Sequence, residues 1–364
     1  MSHRIRRAEA HDNDGILSLL ESTPQWGAVS LNFERRPDYF CGARITCEEP
    51  DVWVAETRCE PRRIEAVYNV GRRRIWVNGQ VAWIRYAHDL RIAPDCRNGM
   101  LLHRLFRQLR GMLEPGEWMQ TVILRDNATS LATVASGRAG LPGYYPYGTI
   151  ETSLIYTRAA RRPPPVGVFV RRTTKADLPA IAELLREEGA HKQFSPHWQT
   201  ARLGSDDYYL GLDASDFLGV WEGDRLRGLL GLWDQKRIKQ TRVLGYRGGL
   251  RWLRHLYNLH SRVRGGFRLP APGGYLCYLT LHAVLAKDND PRWLQWLLDH
   301  AVHAFHGQYD ALLCGFFASD PLSRVPARYR RQLLYSDHFL VSYDGDPRGG
   351  LNDDRVPYVD VARL

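Results

Sequence analysis

The chain has 364 residues, of which 44% are hydrophobic and 11% aromatic, and its formal net charge is +10. This composition is typical of a globular protein, and the length is comfortable for two domains. There is no stretch of about 18 apolar residues, and the polar start lacks the apolar core of a signal peptide. We therefore expect neither a membrane span nor export, and we predict a cytoplasmic protein.

The cysteine pattern and the net charge further limit the kinds of protein that this chain could be. The six cysteines, at positions 41, 47, 59, 96, 277 and 314, form no C-x-x-C pair. They predict reduced thiols, with no disulfide framework and no metal centre. The positive charge suits an anionic ligand. Because the chain carries no RNA-binding signature and no zinc-finger spacing, these motifs do not predict a nucleic-acid partner.

The first elements in the chain alternate between strand and helix. Residues 4–7 predict a strand, and a helix behind it is indicated by four apolar positions, Ile16, Leu17, Leu19 and Leu20. Strand patterns follow at 52–56 and 64–68. Asn78-Gly79, between two further alternating segments, predicts a two-residue hairpin turn.

The stretch from Tyr86 to Phe106 is the most informative part of the chain. Alternating side chains predict a strand that runs into the turn Pro-Asp-Cys-Arg-Asn-Gly at 94–99. Apolar residues at helical spacing then predict a helix, at Leu101, Leu102, Leu105, Phe106, Leu109, Met112 and Leu113. A strand that restarts as a helix points free backbone N–H groups at one place, where the helix dipole adds positive charge. The segment therefore predicts a phosphate site, with Arg97 in its turn.

A further strand and a capped helix come after this segment. Thr121–Leu124 is strand-like, and Asp126-Asn127 predicts a cap for a helix over 128–135. Tyr144 and Tyr145 follow soon afterwards.

The second part of the chain repeats the plan of the first. Residues 158–167 are basic and then proline-rich, which predicts a linker. The strand, helix and hairpin patterns then start again at Val168, and this internal repetition predicts two similar domains over 1–157 and 168–364. In the second half, Asp290 before Pro291 predicts a capped helix start whose carboxylate would repel a phosphate.

A basic amphipathic segment at 250–264 interrupts the repeat. It predicts a helix that docks on an acidic partner, on a membrane surface or on the rest of the chain. Burial against its own chain is the commonest outcome for such a helix, and we expect it here.

The segment 86–106 resembles the acyl-CoA-binding motif of the GNAT superfamily of N-acyltransferases. In that motif a strand ending in hydrophobic-x-Pro leads to Arg/Gln-x-x-Gly-x-Gly/Ala and a helix. Counting from Pro94, Arg97 falls on the arginine position. Met100 and Leu102 stand at the two small positions, and Gly99 comes one residue early.

The resemblance implies an α+β (α/β) fold. It would consist of two GNAT-like domains in tandem, each a mixed, mostly antiparallel twisted sheet flanked by helices, the second without the phosphate motif. It also implies acetyl-CoA, or another acyl-CoA, as co-substrate, with no metal. The residues that it assigns to coenzyme A are Leu90, Arg91, Ile92, Arg97, Asn98, Gly99, Met100, Leu101, Leu102 and Asn127.

Acyl transfer to an amine needs a base, and often an acid for the leaving thiolate. His88 and Asp89 are the titratable pair beside the expected thioester, and either one is a candidate base. Since neighbours on a strand point to opposite faces, we expect only one of them to face the cleft. Glu56 and Glu65 are alternates. Tyr144 and Tyr145 are candidate acids.

Three functions fit these residues. The first is an N-acetyltransferase acting on an amine of a small molecule or peptide. The second is an aminoacyl-tRNA-dependent transferase of the paired-GNAT type, since positive charge also suits tRNA. The third is an acyl-CoA-binding scaffold without catalysis. The sequence identifies neither the acceptor nor the oligomeric state.

Overall fold

A computed structural model of the chain describes residues 3–27, 29–97, 100–135, 140–159, 162–264, 266–352 and 354–364. The strands of the first half are β1 His3–Arg7, β2 Val29–Glu34, β3 Val52–Thr57, β4 Ile64–Asn69, β5 Arg72–Val77, β6 Gln80–Tyr86, β7 His88–Ile92, β8 Trp118–Leu124 and β9 Gly143–Tyr156. Its helices are α1 Asn13–Ser22, α2 Tyr39–Thr46, α3 Leu101–Arg110 and α4 Ala128–Ala135.

The second half follows the same plan. Its strands are β10 Val168–Arg172, β11 Lys192–Gln193, β12 Phe217–Glu222, β13 Arg225–Trp233, β14 Gln240–Tyr246, β15 Tyr278–Ala286, β16 Ala311–Phe317, β17 Arg331–Ser342 and β18 Val356–Pro357. Its helices are α5 Leu178–His191, α6 Leu250–Arg264 and α7 Pro291–Ala304. Among the described helices, not one has both the length and the apolar character needed to cross a membrane.

Two main sheets carry the fold. One has four strands in the order β1-β3-β4-β7, and the other has ten in the order β10-β12-β13-β15-β16-β9-β17-β8-β6-β5. In the first half the chain bends at residues 70–71 and again at Ala87, so β4 and β7 lie in the small sheet and β5 and β6 in the large one. The equivalent strands of the second half, β13 and β15, run unbroken within the large sheet.

The two halves exchange strands. β9, from the first half, pairs with β16 of the second half on one side and with β17 on the other. β17 in turn pairs with β8 of the first half, from Ser336↔Leu124 to Ser342↔Trp118. A ribbon of β2 and β14 also joins the halves. The large sheet is therefore shared, and a domain boundary at 158–167 remains a prediction.

The helix after the predicted phosphate turn packs as its sequence pattern indicates. Four of its apolar residues are buried, Leu101, Leu105, Phe106 and Leu109, and they contact side chains of β4, β8 and β17. Burying each such side chain contributes about 1.5–3 kcal/mol. The helix ends at Arg110, so Met112 and Leu113 extend the apolar cluster from beyond it. This packing fixes the start of α3 beside β7.

The predicted hairpin turn is confirmed. Asn78 and Gly79 have φ of 52° and 81° between β5 and β6, as a two-residue hairpin turn requires. The predicted cap at Asp290 is confirmed as well, since its side chain accepts a hydrogen bond from Arg292 N and Pro291 opens α7.

A substitution at Gly71 tests how tightly the chain is packed at the first bend. A Cβ there would lie 2.7 Å from both Cys47 Cβ and Glu49 O, and 2.9 Å from Pro50 Cα. Because two of these atoms belong to backbone, we expect Gly71→Ala to lower the free energy of unfolding by about 1–3 kcal/mol. Urea unfolding followed by circular dichroism measures the change. Gly349→Ala is the matched control, since a Cβ at Gly349 would meet no atom within 4 Å. Equal losses in the two variants would contradict the steric argument.

Candidate functional site

Two parallel strands part at Ala87. β6 and β8 pair only at Arg85↔Met119 and Tyr86↔Gln120. The last contacts are Ala87 N to Gln120 O and Thr121 Oγ1 to Ala87 O, both 2.8 Å. Beyond Ala87 the two strands have different partners. Strand β7 pairs with β4, and β8 pairs with β17. The edge of β7 that faces away from β4 therefore borders a gap between the sheets.

The backbone turns abruptly where the strands part. Asp89 has φ of 53°, a left-handed conformation that few residues other than glycine adopt, and the β4–β7 register shifts between Val67 and Asn69. The expectation that His88 and Asp89 point to opposite faces is wrong, because this conformation breaks the alternation of side chains. Instead, His88 Nδ1 lies 3.2 Å from Asp89 Oδ2.

Arg35, Asp89 and His88 form a buried polar chain. Arg35 Nη2 lies 3.3 Å from Asp89 Oδ1, and both side chains are 9% exposed. Burial alone raises the pKa of Asp89, but the charge of Arg35 and the hydrogen bond from His88 lower it more, and the net shift is well below its ordinary value. Asp89 is therefore a carboxylate that accepts hydrogen bonds from both neighbours.

His88 is neutral in this setting. Burial lowers the pKa of His88 below its ordinary 6.5 and outweighs the opposing effect of Asp89. With Nδ1 donating to the Asp89 carboxylate, the lone pair lies on Nε2. Nε2 is buried and has no hydrogen-bond partner within the described residues. A base needs such a lone pair, and the role of His88 as the base stays a prediction.

The second half contributes a lysine beside this chain. Burial lowers the pKa of Lys239 well below its ordinary value, and the charge of Arg35 adds to the effect. Its Nζ donates to Thr46 Oγ1 at 3.1 Å and to the backbone oxygens of Ala362 and Leu364 at 3.2 and 2.8 Å. Sequence reasoning assigned no role to Arg35 or Lys239, because neither lies in a local motif and both reach the site only through the fold.

Three of the predicted coenzyme A residues, Leu90, Arg91 and Ile92, belong to β7. Leu90 is exposed on β7, burial lowers the pKa of Arg91, and the backbone oxygen of Ile92 accepts from Arg97 Nε at 3.2 Å. A turn of 3-10 helix, Pro94–Cys96, precedes Arg97. Two of the predicted residues, Asn98 and Gly99, lie outside the described residues.

The remaining predicted residues at the first turn of α3 differ in their exposure to solvent. Met100 is exposed, whereas Leu101 is buried in the core and Leu102 packs at its margin. A ligand at this turn would therefore meet backbone rather than the side chain of Leu101. Asn127 caps α4, with Oδ1 accepting from Ser130 N at 3.1 Å, as the sequence predicts.

The structure does not bring the candidate acids to His88. Tyr144 packs edge-on against Phe339 in the apolar cluster beneath α3, and burial raises its pKa. Tyr145 lies under the Arg348 guanidinium, 5.8 Å away. Both are on β9, which β17 separates from β8. The tyrosine beside His88 is Tyr86, whose ring stacks on the imidazole at 5.3 Å.

The two alternate bases are engaged elsewhere. Glu56 accepts a hydrogen bond from Arg6 at 2.7 Å, and this contact lowers the pKa of Glu56. Glu65 contacts His3 and Cys96. In the second half, His282 occupies the place that corresponds to His88, but it is buried among the rings of Trp198, Phe217 and Trp233.

One surface cavity lies apart from this gap. It has a volume of about 470 Å³ and is bordered by Arg44, Asp51, Arg72 and Arg85 among others. Neither His88 nor Asp89 borders it. Its lining therefore gives no alternative to the gap as a site of acyl transfer.

Comparisons with known proteins were made by sequence and by structure. No family model matches the chain, and no curated protein matches it by sequence. A GCN5-related glucosamine N-acetyltransferase region of a fungal multi-domain GH3 β-N-acetylglucosaminidase matches 93% of this chain, with a TM-score of 0.60 and 14% identity. This chain spans 38% of the length of that fungal protein.

Two other solved structures match over most of both chains. N-myristoyltransferase of Saccharomyces cerevisiae with bound myristoyl-CoA matches 97% of this chain and 86% of its own, with a TM-score of 0.59 and 11% identity. A GCN5-related N-acetyltransferase from Sphaerobacter thermophilus matches 99% and 98%, with a TM-score of 0.54 and 13% identity. These likenesses confirm the predicted fold class, two GNAT-like units in tandem.

The titration of His88 tests the polar chain. We expect its imidazole to stay neutral until the pH falls below 6.5, since burial lowers its pKa, and to carry its proton on Nδ1. Because Asp89 opposes that shift, Asp89→Asn should lower the pKa further. Nitrogen-15 NMR of the histidine side chains measures both, with His88→Gln for assignment and Asp95→Asn as the control. A pKa at or above 6.5 would contradict this assignment.

Proposed function

We propose that this chain, which has the tandem GNAT fold, transfers an acyl group from an acyl-CoA thioester to an amine. The observation that carries the proposal is the parting of β7 from β8 at Ala87, next to His88, whose Nε2 is buried and has no hydrogen-bond partner within the described residues. A gap between two parallel strands admits an extended thioester arm against a free strand edge. Either strand edge offers backbone groups to such an arm.

His88 would act as the base. An amine acceptor is protonated near neutral pH and attacks a carbonyl only after losing a proton. In the proposed step Nε2 takes that proton, directly or through water, while the amine nitrogen forms a bond to the thioester carbon. The carbon–sulfur bond then breaks, and the departing coenzyme A thiolate takes the second proton of the amine nitrogen, directly or through water, which leaves a neutral amide. A backbone N–H on the free edge of β7 would stabilise the oxyanion formed between these steps.

Asp89 and Arg35 would position this base. The Asp89 carboxylate selects the tautomer with the lone pair on Nε2 and stabilises the imidazolium that forms. Asp89 is a weaker candidate for the base itself, because its contact with Arg35 keeps its pKa low. We assign the proton transfer to His88 and a positioning role to Asp89. Tyr144 and Tyr145 remain predictions as acids.

Coenzyme A would lie along β7 and the start of α3. Leu90, Arg91 and Ile92 would border its pantetheine arm. The start of α3, residues 100–102, would present backbone N–H groups to the pyrophosphate, and Arg97 would add its charge. Acetyl-CoA is the simplest donor, and longer acyl-CoAs are also tested because the yeast protein was solved with myristoyl-CoA. The acceptor would be an amine of a small molecule or a peptide.

Two variants distinguish acyl-CoA binding from acyl transfer, one that reverses the charge of Arg97 and one that removes the base His88. Calorimetry with acetyl-CoA and longer acyl-CoAs measures affinity, and release of free thiol with a panel of amines measures turnover. We expect Arg97→Glu to weaken binding at least tenfold, or about 1.4 kcal/mol. Arg110→Glu, at the other end of α3, is its control. We expect His88→Gln to bind acyl-CoA normally and to lose about 10²–10⁴ in turnover.

Each outcome bears on a different part of the proposal. No acyl-CoA binding by the unaltered protein would overturn it entirely. Binding without turnover on any amine would favour the scaffold reading. Full activity in His88→Gln would remove His88 as the base and leave the fold assignment intact.

A further inference from the structure

Three donor groups converge beside the predicted phosphate turn. His3 lies at the start of β1, Glu65 in β4 and Cys96 in the turn before α3. His3 Nε2 lies 2.5 Å from Glu65 Oε2, and Cys96 Sγ lies 3.0 Å from the same oxygen. The Cys96 Sγ to His3 Nε2 distance is 4.0 Å. Imidazole, carboxylate and thiol therefore face one point.

We propose that His3, Glu65 and Cys96 bind a zinc ion. Zinc takes nitrogen, oxygen and sulfur ligands in tetrahedral sites, and three protein ligands leave its fourth position to water. Its usual bond lengths place neighbouring ligand atoms about 3.4–3.6 Å apart. The two short contacts would open by less than about 1 Å, and the longest would close by a few tenths, to reach that geometry.

The proton balance of binding is simple. Without an ion, the thiol and the imidazole both donate to the Glu65 carboxylate. Burial and Glu65 raise the pKa of Cys96 to about 11, so this thiol is protonated. On binding, Cys96 loses one proton to solvent and forms a sulfur–zinc bond. His3 binds through the lone pair of Nε2, so its neutral imidazole carries the proton on Nδ1 in the complex.

The site would fix the turn that leads into α3. Cys96 directly precedes Arg97, and Arg104 of α3 donates to the backbone oxygen of His3 at 2.7 Å. The ion would therefore join β1, β4 and the turn. No metal centre was predicted from sequence, because the ligands stand at positions 3, 65 and 96 without a short spacing.

Cobalt binding tests the site independently of acyl transfer. The full-length protein without an affinity tag is stripped with a chelator and titrated with Co²⁺. We expect one equivalent to give a thiolate-to-cobalt charge-transfer band that Zn²⁺ abolishes. Cys96→Ser should lose the band, and Glu65→Gln should weaken binding at least tenfold. Cys59→Ser, which removes an exposed cysteine, is the matched control and should keep both.

The outcomes are distinguishable. Absence of the band in the unaltered protein, or its persistence in Cys96→Ser, would overturn the zinc site. Circular dichroism of Cys96→Ser and Glu65→Gln, both close in shape to the native residues, excludes unfolding as the cause of a loss. Acyl-CoA affinity plays no part in these readouts.

A separate observation concerns α6, which turns its apolar residues outward. Trp252, Leu253, Leu256 and Leu259 are 78%, 54%, 64% and 60% exposed. The expectation that this helix buries its apolar face against the chain is therefore wrong. Two polar residues attach the helix to the rest of the chain, since Ser261 is buried and Asn258 bonds both the N–H and the carbonyl oxygen of Leu269 at 2.9 Å.

The stretch of sequence that contains α6 carries formal charges of one sign. Between Asp234 and Asp288 the chain holds eleven lysines and arginines and no acidic residue. Arg247 stacks on Trp26, which is 64% exposed and adds to the apolar surface. A second copy docked here would bring like charges together, which disfavours self-association.

We infer that α6 docks on an anionic lipid surface. Leucines and a tryptophan on an outward apolar face, flanked by arginines, are typical of helices that lie in the interface of a bilayer. The apolar side chains would enter the acyl boundary, and Arg247, Arg251 and Arg254 would contact lipid phosphates. Each basic residue near an anionic surface strengthens the binding.

Vesicle sedimentation tests this inference with the full chain. We expect binding to vesicles of phosphatidylcholine with phosphatidylglycerol, weaker binding at high salt, and little binding to phosphatidylcholine alone. The double variant Trp252→Ser, Leu256→Ser should lose at least tenfold in affinity. These residues are exposed, so the variant should keep its fold. Trp83→Ser, at an exposed tryptophan on β6, is the matched control and should bind normally.

Other occupants give other results. Equal sedimentation of the double variant and the unaltered protein, or no sedimentation with the anionic vesicles, would overturn lipid docking. A dimer in gel filtration that the double variant abolishes, without vesicle binding, would assign the surface to a second copy.

Discussion

The structure depends on which strands pair with the two edges of β8. A strand offers two edges. β17, which comes from the other half of the chain, covers one edge of β8 over seven residues. β6 covers the other edge at only two positions before the chain bends at Ala87. Beyond that bend β7 pairs with β4 in the small sheet, and β8 pairs with β17 in the large sheet. The gap that we assign to acyl-CoA follows from this division between two sheets.

The bend also explains the electrostatics of the site. Left-handed backbone at Asp89 turns its carboxylate back toward His88, where a regular strand would separate the two. Arg35 then compensates the buried charge, and without it the cost of burying a carboxylate would neutralise the group. Lys239 arrives from the second half. One bend thus gathers charges that lie far apart in the chain, which is why both halves are needed to build one site.

Local features were predictable from sequence, and long-range ones were not. The turn at Asn78-Gly79, the cap at Asp290 and the buried side of α3 depend on a few neighbouring residues, and their patterns predicted them. The strand exchange depends on which edges remain open after folding, and no local pattern records that. The left-handed Asp89 had no glycine to signal it. The amphipathic pattern of α6 was correctly predicted, but only the packing shows which face of the helix contacts the rest of the chain.

The exchange of β9 and β17 has a consequence for synthesis. The first half cannot close its part of the large sheet until residues 331–342, which belong to the second half, have left the ribosome. Until then one edge of β8 has no strand beside it, and such an edge is open to pairing with other chains. The protein therefore completes both of its halves at once and late, and its folding yield should depend on how well that waiting edge is shielded.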